Sequence, residues 1–125
     1  MHPDAPQFFN LYAGLLPVYE ALEQALCARW PDTGVRVQKS QIAFFDRHGY
    51  AWASLPVRRR RGWPERCLVV TFGWHSRVED PRIAVATEPY PNRWTHHVLV
   101  TRPEDIDAQL LEWIRLSHDF SVSKR

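Results

Sequence analysis

Ile42-Ala43-Phe44-Phe45-Asp46-Arg47-His48-Gly49-Tyr50-Ala51-Trp52-Ala53-Ser54-Leu55 is the stretch that decides how this chain folds. Ile42 and Phe44 keep a period of two, with Phe45 on the opposite side, until the four residues 46–49 interrupt them and close on glycine. Trp52 and Ser54 then oppose Ala51, Ala53 and Leu55, and Pro56 stops the pattern. Two alternating runs around a short glycine-ended turn form a β-hairpin. Hairpin-joined strands are antiparallel, so the fold is built on an antiparallel sheet.

Upstream, Gly34 opens the first run, where Val35 and Val37 alternate with Arg36 and Gln38 and lead on toward Ile42. Downstream, residues 67–74 hold Leu68, Val69, Val70 and Phe72 together, and such an unbroken apolar run belongs in the middle of a sheet with both faces covered. Residues 75–92 contain Pro81, Pro89 and Pro91 and read mainly as loop, with a short edge strand over 82–86. Residues 94–101 make the last strand.

Helical periodicity brackets this sheet. Leu15, Val18, Leu22, Ala25 and Leu26 share one face, Pro17 suits a first turn, and Trp30-Pro31 ends the helix. After the last strand, Thr101 is expected as N-cap and Pro103 in the first turn, with Glu104, Asp105 and Asp107 complementing the positive helix end. Ile106, Leu110, Trp113, Ile114 and Ser117 trace the buried stripe. The expected fold is α+β: a mainly antiparallel sheet of about five strands, with the N- and C-terminal helices packed on one face. Residues 1–125 fit one domain, with residues 1–10 as an extended N-terminal arm and 121–125 as a frayed tail.

Composition narrows the function classes. The chain is 45% hydrophobic and 24% charged, as globular domains are. A net charge of +2 does not by itself imply a polyanion partner, although the cations are fourteen Arg against two Lys. Cys27 and Cys67 are too few for a disulfide framework and read as small buried hydrophobes. The start lacks the pattern of a secretory signal and no run is long enough to span a membrane, so a cytoplasmic location is expected. There is no glycine-rich phosphate loop, no nucleophile elbow and no metal-binding motif, and no cofactor is expected.

Three stretches carry a family likeness: Val37-Gln38-Lys39-Ser40-Gln41-Ile42-Ala43-Phe44, then Tyr50-Ala51-Trp52-Ala53, then Arg93-Trp94-Thr95-His96-His97-Val98. With the closing helix over 106–115, the chain resembles the bacterial domain of unknown function 5655 family over residues 12–120. Lys39, Phe44, Trp94 and His97 occupy its motif positions, whereas four consecutive arginines stand where the family has a mixed Lys and Arg turn. The resemblance implies the fold class and a bacterial cytosolic setting, and no activity.

Three constellations are candidates for chemistry. Arg58, Arg59, Arg60 and Arg61 form a basic loop near Tyr50, Trp52 and Trp63, which pairs charge for phosphates with flat rings for bases. A solvated turn pairing with Glu65, Asp46 or Glu79 is the plainer account of it. His96 and His97 are strand neighbours and point to opposite faces, so they do not share a metal; one faces the helices and the other solvent or a pocket. Lys39 and Ser40 would make an anion site if they joined Trp94 and a histidine. The lead reading is a binding module for an anionic ligand, phosphate-bearing or nucleic acid, held by Lys39, Ser40, Arg58–Arg61, Trp94 and His97. The alternatives are a small hydrolase using a strand histidine as acid or base, and a homodimeric interaction protein.

Overall fold

The computed structural model describes residues 1–56 and 60–123. Three α-helices, α1 (Ala5–Phe8), α2 (Leu16–Arg29) and α3 (Ala108–Val122), surround six strands: β1 (Gly34–Val37), β2 (Ile42–Phe45), β3 (Gly49–Ser54), β4 (Leu68–Trp74), β5 (Ile83–Tyr90) and β6 (Arg93–Val100). All pairings are antiparallel, in the order β1-β2-β3-β4-β6-β5. The α+β class and the antiparallel sheet agree with the sequence reading, but there are six strands and not about five.

The extra strand comes from residues 38–41. Gln38 N–H donates to Gln41 O at 2.8 Å, and the chain folds back so that Val35 faces Phe44 across the ladder. The apolar positions switch from odd (Val35, Val37) to even (Ile42, Phe44) across this turn, which is how the alternation recorded it. Strand β5 also runs further than expected, through Pro89 to Tyr90. It lies at the sheet edge, where a missing N–H costs no ladder bond. Pro91 and Asn92 turn it into β6, Asn92 taking the left-handed φ of 61°. The N-terminal arm is not wholly extended, because Ala5–Phe8 form a helical turn that buries Ala5 and Phe9.

Both long helices cover the same side of the sheet. Tyr19 of α2 stacks on Phe44 of β2 at 6.0 Å, and Trp113 of α3 stacks on Phe72 of β4 at 5.7 Å. Phe44, Ala51 and Phe72 are register partners, so these rings share one face. Strand β4 is central, as its unbroken apolar run predicts, and Leu68 to Thr71 are buried, but the helices cover only one of its two faces, not both as expected.

A β-bulge shapes the middle of the sheet. The β2–β3 register jumps from Phe44 opposite Ala51 to Phe45 opposite Gly49, leaving Tyr50 as an extra residue. An extra residue re-aims its side chain. Tyr50 accordingly turns to the helical side, where its ring meets Trp30 and His118 and its hydroxyl bonds Thr33 Oγ1 at 2.7 Å. Phe45, Gly49 and Trp52 are left on the opposite face.

Helix α3 starts later than the sequence implies. Thr101 does not cap it; its N–H and hydroxyl bond the Asp105 carboxylate ahead of a 3₁₀ turn at Pro103–Asp105. Asp107 is the N-cap, accepting from Leu110 N at 3.0 Å and gripping Arg82 at 2.7 and 2.9 Å. Replacing Asp107 with Ala is expected to cost about 1–2 kcal/mol in urea unfolding, and Asp107→Asn, which keeps the cap, about half as much or less.

Candidate anion-binding face

Sheet alternation assigns every side chain of the uncovered face. Arg36, Ala43, Trp52, Thr71, His97 and Val85 follow one another in register across the six strands, on the side away from the helices. His96, one residue along, points the other way and is fully buried, its ring stacked on Phe72 at 4.6 Å. The two histidines thus lie on opposite faces, as strand geometry requires.

A hollow of about 310 Å³ opens on this face beside His97, lined by Ser54, Leu55, Pro56, Arg60, Trp63, Val69, Val85, Thr87 and His97. Trp63 N–H bonds Arg60 O at 3.0 Å, a tight turn that sets the Arg60 guanidinium 5.8 Å from the Trp63 ring centroid. Across the hollow, His97 Nδ1 and Thr71 Oγ1 are 2.8 Å apart. Thr71 therefore orients the imidazole, and Nε2 makes no hydrogen bond among the described residues. Desolvation, with the Arg60 charge added, lowers the His97 pKa and favours the neutral ring. No carboxylate lines the hollow, and among the described residues Arg60 and Arg61 form no ion pair.

The other expected site residues are dispersed. Lys39 and Ser40 sit in the β1–β2 turn, where Lys39 borders a separate depression with Asp4, Gln7 and Phe8. That turn joins β1 to β2, at least three strand spacings from His97 on β6, and the two line separate hollows. Trp94 is three residues from His97 on β6 and so lies on the helical side, opposite Trp74 in register and 5.9 Å from Arg77. Arg61 is exposed beside Arg60, and Arg58 and Arg59 lie outside the described residues. Thr71 was missed because its role depends on a partner 26 residues away.

Other features offer less. A hollow of about 270 Å³ among Tyr12, Leu15, Leu55 and Cys67 carries Glu65 beside Arg66, so its charges offset. Cys67 is buried and Cys27 half-buried, and desolvation raises both thiol pKa values, which keeps them protonated. Among the described residues no cluster of three His, Cys, Asp or Glu could hold a metal, and no helix is long and apolar enough to cross a membrane.

The class these features define is a small α+β protein with one sheet face under helices and, among the described residues, no helix on the other. The chain belongs to the family described as a domain of unknown function (DUF5655), whose profile matches residues 6–121. No curated protein and no solved structure matches it.

Proposed function

We propose that the Arg60–Trp63–His97 hollow is a binding site for a ligand that joins a flat ring to a phosphate, with a mononucleotide as the simplest example. The observation that carries this reading is an arginine that, among the described residues, has no ion pair and lies by an aromatic ring over a hollow without a carboxylate in its described lining. Its volume of about 310 Å³ falls at the small end of the range for small-molecule sites. Arg60 supplies planar donors for phosphate oxygens, Trp63 a stacking surface and His97 Nε2 a further polar contact. Binding is favoured over acid–base catalysis by His97, because the lining provides the histidine no acidic partner.

Titration with adenosine 5′-monophosphate, followed by tryptophan fluorescence, tests the proposal. Arg60→Ser should weaken binding roughly tenfold or more, the worth of one charge-assisted hydrogen bond. A bound phosphate favours imidazolium, so the complex takes up a proton at His97. Wild-type affinity should therefore gain on that of His97→Gln as the pH falls toward the lowered His97 pKa. Equal affinities for wild type and Arg60→Ser would refute the site.

A further inference from the structure

The hollow beside His97 is not the whole of the uncovered face. A second hollow, of about 300 Å³, lies at the β1–β3 end and includes Arg36, Phe45, Arg47, His48, Gly49 and Trp52 in its lining. Trp52 of the second hollow lies two register steps from His97 of the first, with Thr71 between them. Four strand spacings separate Arg36 from His97, roughly 19 Å. A mononucleotide cannot bridge that distance, whereas a short oligonucleotide can.

Three observations say what would lie there. The first is the attitude of the rings. Gly34 is the register partner of Phe45, and a Cβ added to Gly34 would run into the Phe45 ring. A Cβ on Gly49 would come within 2.6 Å of the Trp52 indole. Neither glycine has a positive φ, so what each supplies is the absence of a side chain. The rings lie down on bare backbone and are not wedged upright between neighbours, and the Arg36 guanidinium sits over Phe45 at 4.8 Å.

The second is charge segregation. Arg82, Arg102 and Arg115 bind Asp107, Asp105, Glu112 and Asp119, all in or just before α3. On the uncovered face, Arg36, Arg47 and Arg60 form no ion pair among the described residues, and neither hollow has a carboxylate in its lining. The guanidiniums of this face thus meet no carboxylate in either hollow, although the net charge of the chain is only +2.

The third is shape. Both hollows are shallow, and neither contains a helix that would enter a duplex groove. Flat rings interleaved with guanidiniums on an open sheet suit bases that are unpaired and free to stack.

We infer that the uncovered face is a platform for single-stranded nucleic acid, running from Arg36 and Arg47 over Trp52 to Arg60 and His97. This rests on the mononucleotide reading of the His97 hollow and extends it along the sheet.

Fluorescence anisotropy with labelled homopolymers of about ten nucleotides, ribo and deoxy, tests it against adenosine 5′-monophosphate and a duplex of the same length. The single strand should bind more tightly than the mononucleotide and the duplex. The double variant Arg36→Ser/Arg47→Ser should lose roughly tenfold in oligonucleotide affinity and about 1.4 of the log–log salt slope, with mononucleotide affinity unchanged. Trp52→Leu should lose about tenfold or more. Phe45→Leu serves as the second ring variant if Trp52→Leu melts early. An oligonucleotide that binds no better than the mononucleotide, a duplex that competes equally, or a double variant with unchanged affinity and salt slope overturns the platform. In each of those cases mononucleotide binding that still depends on Arg60 leaves the smaller site standing, and failure of both ligands removes both readings.

Discussion

Ser117→Val is expected to destabilise the protein by about 2–5 kcal/mol, lowering the urea midpoint with the slope unchanged. The β3–β4 ladder runs from Ser54 opposite Val69 to Ala51 opposite Phe72 and then stops. At the next step the buried Ser117 hydroxyl takes over: it donates to Tyr50 O at 2.6 Å and accepts from Gly73 N–H at 2.9 Å. One side chain of α3 thus satisfies two backbone groups that the bulge separates. Valine adds one heavy atom, as threonine does, but offers neither bond, so one buried and one part-buried backbone group lose their partner at about 1–3 kcal/mol each. Ser117→Thr, which keeps the hydroxyl, should recover most of the loss. If Ser117→Val unfolds within about 0.5 kcal/mol of wild type, the hydroxyl is not what holds the bulge. The effect reaches the candidate site, because this bulge leaves Phe45, Gly49 and Trp52 on the uncovered face.

Acid should weaken the fold, and His96 is the main reason. Its ring is fully buried against Phe72, and its Nε2 accepts from Val78 N–H at 2.9 Å. Protonation at Nε2 would set two donors against each other in a desolvated site. Burial lowers the His96 pKa, and the His97 and Arg77 charges add to the lowering. Above about pH 6.5 the ring is neutral in the folded and unfolded chains alike, and its contribution to stability is fully present. Below that, the unfolded chain binds a proton that the folded chain refuses. Stability then falls by up to about 1.4 kcal/mol per pH unit until the folded pKa is reached. His97 shifts in the same direction and adds to the slope. Urea midpoints measured across this range should therefore drop on the acid side. His96→Gln can still accept from Val78 and should start lower at neutral pH with a shallower acid limb. An equally steep limb in that variant would assign the acid response to other groups.

Much of the fold was legible in the chain. The hairpin at 42–55, the central position of β4, the helix ended by Trp30-Pro31 and the buried stripe through Ser117 all follow from spacing, because the helical and strand periods are local backbone properties. The opposed directions of His96 and His97 were legible for the same reason. Counting the strands failed where a four-residue turn sat inside a run that alternates on both sides. The α3 cap was misplaced because Thr101 and Asp107 are both suitable cap residues, and Arg82 and Leu110 select the second.

The candidate site was less legible. Arg60, Arg61 and His97 stood out by residue type, yet Lys39, Ser40 and Trp94 stood out equally and lie elsewhere in the fold. By itself the sequence determined which residues share a side of each strand or helix, since that depends only on a residue's neighbours along the chain. The tertiary structure alone decided which side the helices cover, where Tyr50 bulges, and that Arg36, Trp52 and His97 fall in one row. Those outcomes depend on register and packing between segments as much as 67 residues apart, and side-chain periodicity within one element carries no information about its partner's register.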